Sequence, residues 1–201
     1  MKDAELEQLR AELSSQMSRK RRQPGIAWMP PLLSDFTWER PVLAFDQSLS
    51  NCGWVALAII GGRVVVYNKG TVRPVVAAKG FSRTWNKAYK LRQDLKVILS
   101  WYPGYEVVYE NPAVHGHRLE SSLLASQVLY DLTERKGHHI DAQHACKVLC
   151  GAPMRSEERK QAIKAAVARY IRDSETRHWN EHQRDAAALG LTHLYDLRQA
   201  A

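Results

Sequence analysis

From residue 41 onward the chain alternates short, dense apolar runs with longer stretches in which apolar residues recur every three or four positions. Residues 41–45 ("PVLAF"), 54–60 ("WVALAII") and 63–72 ("RVVVYNKGTV") read as three strands. Gly61-Gly62 between the second and third is a hairpin signal, so the domain opens on an antiparallel meander. Over 81–102, Phe81, Trp85, Ala88, Leu91, Leu95, Ile98 and Leu99 fall on one helical face, and Pro103-Gly104 stops the helix. A strand over 105–111 ("YEVVYEN") follows. Next come a helix over 119–137 ending at Gly137, a short strand over 138–142, a helix over 155–173 with Ser156 as its N-cap, and a last helix over 180–199. The order β-β-β-α-β-α-β-α-α predicts an α/β fold: a mixed five-stranded sheet, antiparallel meander then parallel strands, flanked by helices.

Residues 1–40 follow a different pattern and are read as an N-terminal extension to a domain spanning 41–201. Leu6, Leu9, Leu13 and Met17 make a narrow helical stripe over 3–17, suited to docking on a partner chain. Arg19, Lys20, Arg21 and Arg22 then form a basic cluster, either a phosphate contact or a solvated linker. Residues 25–40, with Pro30, Pro31, Trp28 and Trp38, read as an irregular connector.

Composition narrows the classes. The 201 residues carry 29 Lys and Arg against 21 Asp and Glu, a net charge of +8, which tilts the reading toward a polyanionic partner such as nucleic acid. No apolar run approaches the roughly 18 residues a membrane span needs, so no membrane partner is expected. The opening "MKDAELEQLR" is not built like a secretory signal, and three cysteines fit a reducing cytosol, so a cytoplasmic location is expected. The cluster "GHHIDAQHACKVLC" (137–150) holds zinc-type residues, but its spacings match no standard knuckle. Cys146 and Cys150, four apart, read as buried helix residues.

The chemistry concentrates where two strands end in acids, Asp46 and Glu110. If those strands are neighbours, two carboxylates share one sheet edge and repel. A divalent cation relieves that repulsion, and oxygen ligands favour magnesium or manganese. On the last helix His182 and Asp185 are three residues apart and share a face, followed by the small, apolar "AAALGL", which allows close packing on the sheet. Each residue also has a plainer reading: Asp46 as a turn acid, Glu110-Asn111-Pro112 as a strand terminus, His182 as an ordinary first-turn residue, Glu181 and Asp185 as complements to the helix dipole.

Taken in order, "VLAFDQSLSNCGW", "GTVRP", "VVYEN", "KVLCG", "SEERKQAI" and "HQRDAAALGLTHLY" resemble segments of the RuvC family of Holliday junction resolvases, within the RNase H-like superfamily. The resemblance covers roughly residues 41 to 198. It implies an RNase H-like fold and a nuclease that resolves four-way DNA junctions by two-metal-ion phosphodiester hydrolysis, with Mg²⁺ (two ions per site) or Mn²⁺. Asp46 would bridge both ions, Glu110 and Asp185 would complete the shells, and His182 would ligate a metal or position the attacking water. Lys147 matches one basic contact of the family, and Arg159 or Lys160 falls at the other. The turn "QSLSNCG" then makes Ser48, Ser50 and Asn51 candidate phosphate contacts. Gln47-Ser48 stands where the family has Pro-Gly. Ala113 stands where several members carry an aromatic wedge, with His115, His117 and Arg118 as candidate DNA contacts nearby. Paired nicks on a two-fold junction imply a homodimer, with Leu123, Leu124, Val128 and Leu129 as interface candidates unless they cover the sheet. The N-terminal extension and the divergent first motif fit a phage or prophage copy, with action in the host cytoplasm or nucleoid. Competing readings are a broader branched-DNA nuclease, an RNase H-type hybrid nuclease, and a non-catalytic DNA-binding protein.

Overall fold

The computed structural model describes residues 41–77, 79–112 and 119–199. The helix expected over 3–17, the basic cluster at 19–22, the connector 25–40, and Ala113, His115, His117 and Arg118 lie outside the described residues. Five strands, β1 (Val42–Asp46), β2 (Cys52–Ile60), β3 (Arg63–Val72), β4 (Glu106–Glu110) and β5 (His138–Ile140), form one sheet in the order β3-β2-β1-β4-β5. β1 and β2 pair antiparallel, as do β2 and β3, whereas β4 runs parallel to β1 and β5 parallel to β4. The sheet is therefore mixed, an antiparallel meander extended by parallel strands. Gly61 and Gly62 both hold positive φ (55° and 72°), the backbone a tight two-residue hairpin requires.

β1 is central and all five of its residues are buried, which is why it reads as a continuous apolar run rather than an alternating one. Its side chains alternate between two cores. Val42 and Ala44 join Val55, Leu57, Val108 and the last helix. Leu43 and Phe45 join Trp54, Leu91, Leu95, Tyr109 and Leu129. Helices α1 (Phe81–Trp101) and α2 (Leu119–Leu132) cover the second face. α3 (Ala142–Cys150), α4 (Ser156–Tyr170) and α6 (Glu181–Gln199) cover the first, with the one-turn α5 (Asp173–Thr176) between α4 and α6.

Some sequence expectations need correction. The expected element order lacks α3, although the spacing of Cys146 and Cys150 reads as helical. The helix is short, nine residues, with Ala145, Cys146, Val148, Leu149 and Cys150 buried, and Asp141 caps it by accepting from the Gln143 and His144 amides (2.7 and 3.2 Å). α4 has Arg155, not Ser156, at the N-cap position, with no side-chain capping bond; Glu157 and Glu158 in its first turn complement the dipole instead. Trp85, expected on the buried stripe of α1, is 53% exposed. On α2, Val128 and Leu129 are spent on the core, while Leu123 is 47% exposed.

Candidate active site

The parallel pairing of β1 with β4 matches Phe45 to Tyr109, so the next residues, Asp46 and Glu110, end adjacent strands on one sheet edge. Gln47 continues the ladder with its side chain. Its carbonyl oxygen accepts from the Glu110 amide (3.0 Å), and its amide nitrogen donates to the Glu110 carbonyl and to Ser126 Oγ (2.8 Å). A buried side-chain amide thus replaces a backbone rung just where the strands separate, and it fixes the offset between the two acids. Ser48 then closes the turn: its hydroxyl accepts from the Ser50 and Asn51 amides (3.3 and 3.0 Å) and donates to the Asn51 carbonyl (2.9 Å).

α6 brings the other two groups. Asn180 and Gln183 form a reciprocal capping box: Asn180 Oδ1 accepts from the Gln183 amide (3.0 Å) and Gln183 Oε1 from the Asn180 amide (3.1 Å). The Asn180 side chain also donates to Thr71 Oγ1 on β3 (2.8 Å), pinning the helix start to the sheet. Gly53, opposite Asp46 in the β1–β2 register and opposite Thr71 in the β2–β3 register, permits this approach. A β-carbon at Gly53 would lie 2.7 Å from the His182 Cβ and fall on its carbonyl group. The glycine seven residues after Asp46 is therefore a docking surface for the helix that carries His182 and Asp185.

The result is a polar cluster at the strand ends. His182 Nδ1 lies 2.6 Å from Asp46 Oδ2, and the hydrogen bond to Asp46 raises the imidazole pKa above its ordinary value despite partial burial. Burial, then the charges of Asp46 and Asp185, push the Glu110 carboxyl up to about 7. Burial, then Asp46 and Glu181, push Asp185 up to about 7 as well. Arg159 on α4 opposes both shifts and lines a small cleft with Glu110, Asp185, Ala142 and Ala145. Three acids and an imidazole with too little positive charge to balance them form an oxygen-rich donor set that fits a hard divalent cation. The raised carboxyl pKa values express burial first and the mutual repulsion of the acids second.

The cluster comprises Asp46, Glu110, His182 and Asp185, the four residues singled out from the sequence. Among the candidate DNA contacts, Arg159 faces the cleft. Lys160 instead pairs with Glu181 (3.2 Å) and Glu157 (3.6 Å). Ser50 Oγ accepts from Lys87 Nζ (3.2 Å), Asn51 is half-buried, and Lys147 is exposed on α3. Sequence reasoning missed Gln47, Thr71 and Asn180 as organisers of the site. Only the Asn180…Gln183 spacing, a capping box before an apolar run, carried a readable signal.

No protein-family model matches the chain, and no curated protein sequence matches it. Among solved structures, Thermus thermophilus RuvC is similar over 80% of this chain and 96% of that one, with a TM-score of 0.64 and 14% identity. Thermus thermophilus RuvC in complex with a Holliday junction substrate is similar over 79% and 96%, with a TM-score of 0.63 and 13% identity. The chain thus has an RNase H-like α/β fold. Within that class, the arrangement it shares is that of RuvC.

Proposed function

We propose that this chain is a divalent-metal-dependent endonuclease that resolves four-way DNA junctions. The observation that carries the reading is the convergence of Asp46, Glu110, His182 and Asp185 from β1, β4 and α6 at one sheet edge of a RuvC-like fold. Asp46, Glu110 and Asp185 would hold Mg²⁺ or Mn²⁺. When bound, such ions activate a water and stabilise the leaving oxygen of an in-line phosphodiester displacement.

The protein's own residues then have definable tasks. Gln47 keeps Glu110 in register with Asp46. The capping box and Thr71 hold the first turn of α6, so that Asp185 stays aimed at the edge. His182 fixes one Asp46 oxygen and orients the carboxylate. Arg159, which lines the cleft with Glu110 and Asp185, would donate to a phosphate oxygen at the cut. A net charge of +8 favours the approach of DNA. Exposed apolar residues on the α1–α2 side, among them Tyr89, Val97, Trp101 and Leu123, support a homodimer that delivers two paired nicks.

The test is a substrate panel. Labelled four-way junctions, flaps, linear duplex and RNA–DNA hybrid are incubated with Mg²⁺ or Mn²⁺ and the nicks mapped. Paired symmetric nicks confined to the junction are expected. Equal cutting of all branched forms would move the reading to a general debranching nuclease, cutting of the hybrid to an RNase H-type enzyme, and tight binding without cutting to a DNA-binding protein.

A further inference from the structure

A second polar cluster sits in the same layer, away from Asp46. Glu106 opens β4, four residues before Glu110, about 13 Å along the strand. His193 lies eight residues beyond Asp185 on α6, about 12 Å along its axis. His138 is the first residue of β5. These three elements bring one carboxylate and two imidazoles together, with ligand atoms all within 4.8 Å of one another. His193 Nε2 is 2.7 Å from Glu106 Oε2, and the His138 and His193 rings lie 4.4 Å apart.

We propose that Glu106, His138 and His193 bind a borderline first-row divalent cation of the Zn²⁺ type, with solvent in the fourth position. The donor set is two neutral nitrogens and one carboxylate oxygen, which suits zinc rather than magnesium. Zinc–ligand bonds of about 2.0–2.2 Å place tetrahedral ligands about 3.3 Å apart, so closure needs side-chain shifts of about 1 Å. His193 is buried, and its contact with Glu106 fixes one ring nitrogen beside the carboxylate. His138 is exposed, which gives the ion an entry path and a water its place. Asp196, one turn further along α6, is bonded to His144 (2.9 Å). The ion would staple α6 to β4 and β5; β4 ends in Glu110, and α6 carries Asp185 in its second turn. This site is independent of the nuclease reading, because it uses none of the four residues of the active-site cluster.

The test uses the full chain, stripped of metal, with Zn²⁺ titrated by calorimetry and Co²⁺ as a spectroscopic probe. An Asp46→Asn/Asp185→Asn variant removes the oxygen-rich competitor. That variant is expected to bind one equivalent of Zn²⁺ and to show the intense visible absorption of four-coordinate Co²⁺. Adding His138→Ala, or separately Glu106→Gln, is expected to weaken Zn²⁺ at least about tenfold and abolish the absorption. His138 is exposed, so the alanine variant should keep its far-ultraviolet circular dichroism. Absence of zinc binding in the Asp46→Asn/Asp185→Asn protein overturns the proposal. So does binding that survives both further substitutions, with His193–Glu106 then serving only as a buried hydrogen-bonded pair.

Discussion

Glu110 should make the metal-free protein less stable as pH rises, and Glu110→Gln should relieve this. The folded environment raises the carboxyl from 4.5 to about 7. Below pH 4.5 the group is protonated in folded and unfolded chains alike and costs nothing. Between the two values the unfolded chain has lost a proton that the folded chain still holds, so stability falls with rising pH; above 7 the fold bears the whole cost. At 1.36 kcal/mol per pKa unit, that cost is roughly 3 kcal/mol. The glutamine amide brings its own hydrogen-bonding needs, so a net gain of about 1–3 kcal/mol is expected at pH 8. For a chain of this size that is roughly 3–10 °C in Tm. At pH 5 the gain should shrink below about 1 kcal/mol. The assay is thermal unfolding by circular dichroism in chelator at pH 5, 6.5 and 8, repeated with Mg²⁺. Mg²⁺ should raise the wild-type Tm more than that of the variant, because the variant lacks one of the charges the ion neutralises. A variant no more stable than wild type at pH 8, or one with the same gain at pH 5, would refute the electrostatic reading of the site.

Other substitutions probe how the site is held. Gly53→Ala drives a methyl into the His182 backbone and should cost about 1–3 kcal/mol of stability, together with cleavage; a wild-type Tm with full activity would contradict the docking role of Gly53. Gln47→Leu leaves the Glu110 amide without its acceptor and should destabilise by about 1–3 kcal/mol in chemical denaturation, whereas a loss near zero would mean the bridge is dispensable. Arg159→Ala removes the cation that lowers both carboxyl pKa values, so the rise of cleavage rate with pH should shift to higher pH. An unshifted profile would place Arg159 outside the electrostatics of the cluster.

The strand-end acids were legible because an acid directly after a buried run must be satisfied by something, and the His182–Asp185 pair because residues three apart share a helix face. The mixed sheet could be read from the hairpin signal and the later strand–helix alternation. What the sequence hid is whatever joins distant segments. Gln47 reaches Glu110 across 63 residues, and Asn180 reaches Thr71 across 109. Neither pairing leaves a periodic or compositional trace. The Glu106–His138–His193 cluster is hidden for the same reason, since its members come from three elements. His138 drew attention only within a local run of histidines and cysteines, whereas the fold turns it toward a helix 55 residues further on. Cys146 and Cys150 are buried free thiols on α3, in keeping with their spacing.

The most direct test of the central claim is cleavage of a labelled four-way junction by wild type and by Asp46→Asn, each with Mg²⁺ and with chelator, alongside junction binding by gel shift. Wild type is expected to make paired nicks only when the metal is present. Asp46→Asn is expected to bind the junction with unchanged affinity and to lose cleavage by at least about a thousandfold, more than 4 kcal/mol of transition-state stabilisation. Cleavage retained by Asp46→Asn, or by wild type in chelator, would contradict the account.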